Sequence, residues 1–253
     1  MYAPERHQEI VTRARAEGRV DVVSLATQLD VTPETIRRDL TVLERHGLLR
    51  RVHGGAIPVE RLGFEPAVAD REHVLAPEKE RIAKAALDEL PQSGAVIIDA
   101  GTTTVRLAEM LPTDRELTVV THSLPVATLL AGRPSITLHL VGGTVRGRTY
   151  AAVGAWALRD LAEIQADVAF IGTNGLSVER GLTTPDLAEA AVKRALVGAA
   201  RRTVVLADRT KIGRVDFATI VPLSEVDTVI TDSGVDRELA EELEATGLTV
   251  VRA

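Results

Sequence analysis

The stretch VTPETIRRDLTVLERHGLLRRVHGGA, Val31 to Ala56, decides how the amino-terminal part of the chain folds. Thr32 offers a capping hydroxyl, and Pro33 stands at the first helical position, where its missing N–H costs nothing. At 100° per residue, Ile36, Leu40 and Leu43 form one inward stripe. Arg38 and Arg45 then point outward, ringed by Glu34, Thr35, Thr41 and Val42, with Arg37 on the flank. Gly47 is the expected stop, since glycine accepts the left-handed conformation past a helix end. Beyond it, Leu48–Val52 and the Gly54-Gly55 turn read as a short hairpin carrying Arg50, Arg51 and His53.

Upstream, the pattern predicts a helix over 4–17 with Ile10, Val11 and Ala14 inward and Gly18 as its stop. Residues 19–22 are β-prone, 23–29 form a second helix burying Leu25, Ala26 and Leu29, and Asp30–Val31 is the turn. Three short helices followed by a hairpin make a winged helix-turn-helix, which places its third helix in the major groove of double-stranded DNA. Arg38 is the candidate for a bidentate guanine contact and Arg37 for a phosphate. Thr35 and the first-turn N–H groups can hold a phosphate or a base edge. Thr32, Glu34, Arg45, Arg51 and His53 complete the expected DNA-binding set. On an isolated helix, such arginines are more often a solvated face paired with Glu34 or Asp39. The turn before this helix and the wing after it reverse that preference.

The net charge of −6 over 253 residues is unusual for a DNA binder until it is divided. Residues 1–56 carry nine Lys/Arg and eight Asp/Glu, a net +1, whereas the remainder carries 21 against 28, a net −7. Such asymmetry hints at divided labour. The absence of cysteine excludes disulfides, thiolate metal sites and cysteine nucleophiles. No apolar run has the length of a membrane span, and MYAPERHQEI has no signal-peptide core. No membrane partner is expected, and the expected location is the cytoplasm.

Residues 1–57 form the first expected domain, 58–76 a linker with Pro58, Gly63 and Pro66 and a short ordered contact at Phe64, and 77–253 a second domain. From Glu78 onward, helices alternate with β-rich runs, which predicts a mostly parallel sheet covered on both faces. Expected strands are 95–99, 117–121, 136–141, 168–172, 203–207, 228–231 and 248–251. Expected helices are 78–90, 103–111, 123–131, 154–162, 186–200 and 236–246. In such α/β sheets, ligands bind beyond the carboxyl ends of the strands. There the sequence places Asp99-Ala100-Gly101-Thr102-Thr103-Thr104, Thr121-His122-Ser123, Gly142-Gly143, Gly172-Thr173-Asn174-Gly175 and Asp208-Arg209-Thr210-Lys211. Glycine lets the backbone approach an anion, and three hydroxyls and a helix start supply donors. Neither GxxxxGK[ST] nor GxGxxG occurs here, so ATP and dinucleotides are poor candidates and no cofactor is expected. Singly, each cluster is more often a turn than a site. Five together favour a small anionic ligand, with Lys211 and Arg146 as counter-charges.

Ser24-Leu25-Ala26, TIRRDL (35–40), Leu43 to Leu48 and RVHGGA (51–56) closely resemble the DNA-binding signature of the DeoR family of transcription regulators. Thr32 stands where the family usually has serine, and either residue caps a helix. DAGTTT (99–104), VVTHS (119–123), VGG (141–143), FIG (170–172) and LADRTKIG (206–213) are similar to the family's sensor domain, itself similar to phosphosugar isomerases. The resemblance spans almost the whole chain. It implies an α/β protein in which the winged helix-turn-helix domain precedes a Rossmann-like sugar-phosphate sensor domain. It further implies a regulator, usually a repressor of sugar-metabolism or sugar-transport genes, controlled by a phosphorylated sugar. Carried over residue by residue, Asp99, Gly101, Thr102, Thr103, Thr104, Thr121, Ser123, Gly142, Gly143 and Lys211 line the effector site. His122, where the family commonly has asparagine, is a bulkier candidate at the same place.

A helix-turn-helix monomer reads few base pairs, so a homo-oligomer, dimer or tetramer, is expected on repeated half-sites. The competing reading is a sugar-phosphate isomerase with a DNA-binding appendage. It needs a general base, for which Asp99, Asp208 and Glu189 are the available carboxylates.

Overall fold

The computed structural model describes residues 2–17, 19–46, 48–58 and 65–253. Gly18, Gly47 and Phe64, assigned roles from sequence, lie outside the described residues. The chain divides into two units, 1–61 and 62–253.

In the first unit, α1 (Ala3–Glu17) is followed by β1 (Val20–Asp21), α2 (Val22–Gln28), α3 (Pro33–Arg45), β2 (Leu49–Val52) and β3 (Gly55–Pro58). Two polar caps set the helix starts. Asp21 accepts from the N–H groups of Val23 and Ser24, and Thr32 Oγ1 accepts from Thr35 N–H at 3.2 Å. Ile10, Ala14, Leu25, Ile36, Leu40, Leu43 and Leu49 meet in one core, so the stripe anticipated on α3 does face inward. The hairpin β2–β3 gains β1 on its other side, in the order β1-β3-β2. Both glycines of the turn are dictated by that sheet. Gly54 has φ +78°, and a Cβ on Gly55 would sit 1.9 Å from Val20 O.

A buried ion pair ties α1 to α3. Arg6 Nε donates to Asp39 Oδ2 at 2.5 Å and Arg6 Nη2 to Oδ1 at 3.1 Å, while His7 Nε2 lies 2.8 Å from Oδ1. Burial alone raises the Asp39 carboxyl, but the bonds from Arg6 and His7 outweigh it and hold it below its ordinary range.

The second unit contains α4 (Val68–Glu72), α5 (Ala76–Ala86), β4 (Gly94–Ile98), α6 (Thr102–Met110), β5 (Leu117–Thr121), α7 (Leu124–Leu130) and β6 (Ile136–Leu140). Then come β7 (Thr144–Arg146), β8 (Ala151–Val153), α8 (Ala155–Ala162), β9 (Val168–Gly172), β10 (Gly175–Ser177), β11 (Gly181–Thr184) and α9 (Leu187–Gly198). The chain closes with β12 (Thr203–Leu206), β13 (Ala218–Thr219), β14 (Thr228–Thr231), α10 (Arg237–Ala245) and β15 (Thr249–Arg252). Seven strands form a parallel sheet in the order β15-β14-β12-β9-β4-β5-β6.

Side chains alternate across the sheet, and each face has its own core. Val96, Ile98, Val119, Phe170 and Val204 pack with α5, α6 and α7. Ile97, Val120, Ile171, Val205 and Val229 pack with α8, α9 and α10. Sequence order runs outward from β4 through β5 and β6 on one side, and from β9 through β12, β14 and β15 on the other. The strand ends of β4 and β9 are therefore the topological switch point, the place where sheets of this kind bind ligands.

Two features depart from the sequence expectation. Between the expected strand 136–141 and helix 154–162, where no element was expected, lies the β7–β8 hairpin, and β10, β11 and β13 form a small separate sheet. These strands are two to four residues long, too short to show a period. The expected linker, 58–76, is also reassigned in part: Pro58 ends β3, and 65–76 carries α4 and the start of α5. Val68 N–H donates to Arg148 O at 2.9 Å and Lys79 Nζ to Arg71 O at 2.6 Å, which attaches this stretch to the second unit. A five-residue helix held by charges leaves no apolar signature.

Asp39→Ala removes the carboxylate from buried Arg6 and should cost the DNA-binding unit about 3 kcal/mol, the loss typical of a broken buried pair. Denaturant unfolding of residues 1–61 in the full chain, followed by hydrogen exchange, measures it. A change within error would show that the pair does not stabilise the helix arrangement.

Candidate functional site

On the first unit, Glu34, Arg37, Arg38, Thr41, Val42, Arg45 and Arg51 line one open concavity beside α3. Arg38 and Arg45 are exposed and make no ion pair among the described residues. Arg37 Nη1 lies 3.2 Å from Glu34 Oε2, a surface pair that an incoming phosphate can readily replace. Arg51 is set against the helix: its N–H donates to Glu44 Oε1 at 2.9 Å and its Nη1 to Thr41 Oγ1 at 3.3 Å. Thr32 and Thr35 share a hydroxyl–hydroxyl bond at 2.9 Å, so both are engaged in the helix cap. His53 sits exposed at the wing turn, where its carbonyl accepts from Arg19 Nη2 at 3.0 Å. Arg19, outside the expected set, is thereby brought to the wing. Asp39 does not pair with the recognition arginines but serves the core.

In the second unit, the switch point is organised by Asp99, which is fully buried. Its Oδ1 lies 2.8 Å from His122 Nε2, and its Oδ2 accepts from Gly172 N–H at 2.8 Å and from the Lys193 ammonium. Lys193 also donates to Gly172 O at 2.9 Å. Burial pushes the Asp99 carboxyl up, yet the charge of Lys193 and the bond from His122 prevail and hold it at about 2. His122 Nδ1 faces Ala152 O at 2.9 Å. Thr121 Oγ1 donates to Ile98 O at 2.6 Å and accepts from Ser123 N–H at 3.1 Å, while Ser123 Oγ caps α7. Asp99, Thr121, His122 and Ser123, read from sequence as lining residues, thus form the buried floor that fixes the strand-end loops. Lys193, which joins that floor from α9, carried no signal in a helical run.

The wall above the floor is different. Gly101 precedes α6, whose start has no side-chain cap. Thr104 Oγ1 turns back to Gly101 O at 3.0 Å, while Thr102 is half-buried and Thr103 buried at the same helix start. Lys211 follows the buried Asp208, whose carboxylate accepts from the Thr210 N–H and hydroxyl. Lys79, not anticipated from sequence, is 4% exposed and completes a cationic group. Burial, opposed by Asp208 and reinforced by Lys211, Arg71 and Arg106, lowers its ammonium to about 8. Gly142 is exposed. Gly143, with φ +147°, is required by the hairpin, because a Cβ there would lie 2.5 Å from Val153 O.

Arg146, expected as a counter-charge for ligand, is already surrounded by carboxylates. Its guanidinium meets Glu65 at 2.9 Å, Asp186 at 3.1 Å and Glu189 at 2.5 Å. Glu189 also accepts from Thr149 Oγ1. The three carboxylates weighed as isomerase bases, Asp99, Asp208 and Glu189, are each committed to internal donors.

Because Asp99 is held near 2 against an ordinary 3.8, it contributes stability that is present above about pH 4 and lost as pH falls towards 2. Asp99→Asn should lower the melting temperature at neutral pH and flatten the acid limb of the sensor unit. Circular dichroism melts across that range test it, and an unaltered limb would deny the carboxylate this role.

Comparison with known proteins agrees with this geometry. The DeoR-like helix-turn-helix domain matches residues 6–61, and the DeoR C terminal sensor domain matches residues 75–233. The HTH-type transcriptional regulator GlpR of Haloferax volcanii is 39% identical over 251 residues, 99% of this chain and 98% of its own length. The glycerol-3-phosphate regulon repressor of Escherichia coli is 31% identical over 233 residues, 92% of each chain. Ribose 5-phosphate isomerase A of Methanocaldococcus jannaschii is a distant structural likeness, with 17% identity and a TM-score of 0.39 over 53% of this chain and 52% of its own. These relatives in sequence are regulators rather than enzymes, and the chain belongs to the DeoR family of DNA-binding transcriptional regulators.

Proposed function

We propose that this regulator represses genes of sugar or polyol-phosphate use, and that a phosphorylated sugar in the switch-point crevice controls its hold on operator DNA. It acts in the cytoplasm as a homo-oligomer on repeated half-sites. The observation that carries the effector reading is the cationic group of Lys79, Lys211, Arg71 and Arg106 beside the uncapped start of α6. Asp208 offsets part of this positive charge, a bound phosphate relieves the remaining repulsion, and the helix start adds N–H donors and a favourable dipole. Gly101, Thr102, Thr103 and Lys211 contact the phosphate in this reading, and the Asp99–His122–Lys193 floor positions the loops beneath it. The effector shifts DNA affinity by binding the two states of the protein unequally.

On the DNA side, Arg38 reads a base edge, while Arg37, Arg45, Arg51 and His53 engage the backbone. Arg38→Ala should weaken specific operator binding by about 1–3 kcal/mol per half-site while sugar-phosphate affinity stays unchanged. Gel shifts at moderate salt measure the effect, and unchanged affinity for the protein's own upstream DNA would sink the assignment.

Lys79 loses its proton near pH 8 in the free protein, so phosphate affinity should fall as pH rises through that value. Lys79→Gln should remove this dependence and Lys211→Gln weaken binding throughout. Titration of sugar phosphates by calorimetry checks both, and a flat profile in the unsubstituted protein would place the phosphate elsewhere.

A further inference from the structure

Glu65 opens the described second unit, yet its side chain is held deep within that unit. The guanidinium of Arg148 donates to Glu65 O at 2.5 Å, and Val68 N–H returns a bond to Arg148 O at 2.9 Å. Helix α4 then packs on α6, the helix whose start faces the crevice. Residues 65–72 are thus a strap across the sensor. In chain order they are also the first described residues of this unit.

The Glu65 carboxylate is 4% exposed. Its Oε2 lies 2.9 Å from Arg146 Nη2, an ion pair. Neither carboxylate oxygen receives a hydrogen bond from the described residues. Burial first, and then the charge of Glu189, push this carboxyl above its usual range, with Arg146 and Arg71 pulling only part of the way back. Glu65, Asp186 and Glu189 face Arg146, with Arg71 within electrostatic range. Three carboxylates thus share the one Arg146 guanidinium. A carboxylate beside Glu189 accepts neutral hydroxyl donors more readily than a further anion. A buried carboxylate kept at a cost to stability and short of donors marks a functional position.

We propose that Glu65 is an effector-binding residue, its carboxylate receiving hydroxyl groups of a polyhydroxylated phosphate whose phosphate lies at Lys79 and Lys211. This inference rests on the sugar-phosphate reading of the crevice. It sets a substrate class: the effector carries one anionic end and a hydroxyl-rich other end, not two phosphates. It also makes the strap part of the site. Hydroxyls that bond Glu65 bind better when 65–72 lies against the sensor, and this stretch is the route by which the chain reaches the DNA-binding unit.

The test uses the full chain, with inorganic phosphate, glycerol 3-phosphate, fructose 1-phosphate and glucose 6-phosphate as probes. Calorimetry is run on the unsubstituted protein and on Glu65→Gln, with hydrogen exchange over residues 65–72. At least one sugar or polyol phosphate should bind more tightly than inorganic phosphate and should slow exchange in the strap. Glu65→Gln should weaken that ligand about tenfold, the effect of losing hydrogen bonds to a charged acceptor, and leave inorganic phosphate affinity unchanged. Its ligand-free melting temperature should equal or exceed that of the unsubstituted chain, because a costly buried charge is gone. A lowered melting temperature would instead make Glu65 a structural residue and overturn the proposal. Unchanged sugar-phosphate affinity, or equal losses for all probes, would overturn it while leaving the phosphate site standing. If no probe binds the unsubstituted protein, inorganic phosphate included, the crevice reading falls with it.

Discussion

Asp99 stands where the order of strands reverses, and the second unit depends on how its charge is satisfied. A carboxylate with no access to solvent would be expelled or protonated without compensation. Here Lys193 reaches it from α9, His122 from the end of β5 and the Gly172 amide from the end of β9. One anion thereby ties three separate chain segments to the end of β4. Each further strand-end loop is placed relative to that node, Thr121 and Ser123 by their own internal bonds.

The floor has a consequence for how the crevice meets ligands. Asp99, Thr121, His122 and Ser123 are bonded to one another's segments and to the backbone and supply shape and rigidity, and charged groups lie around them. On one side is a positive group, Lys79 with Lys211 and Arg106, near an uncapped helix start. On the other is a negative group centred on Arg146, with Glu65 short of donors. In the proposed reading, this opposition of charge favours an effector that is itself unlike at its two ends.

The DNA-binding unit was largely legible because its determinants are local. A cap at Thr32, Pro33 at the first helical position, the Ile36–Leu40–Leu43 stripe and the Gly54–Gly55 turn each act within a few residues of themselves. Helix periodicity therefore identified which arginines face outward. Asp39 was the exception, since its partners Arg6 and His7 lie more than thirty positions away. The long strands of the sheet were legible for the same local reason: β4, β9 and β12 hold continuous apolar runs between polar turns. The short strands β7, β8, β10, β11 and β13 were not, because segments of two to four residues have too little pattern to read.

By itself the sequence determined the two kinds of unit, the face of α3 open to DNA, and the placing of polar clusters at strand ends. These follow from periodicity, capping and the chirality of parallel sheets, which operate along the chain. Only the tertiary structure decided which polar groups were free for a ligand. Asp99 and Arg146 read alike as site residues in one dimension, yet Lys193 and Glu65, Asp186 and Glu189 take them up in three. Lys79 and Glu65 gained their place the same way. Charge satisfaction depends on distances between segments far apart in sequence, and the chain sets those distances only when it folds.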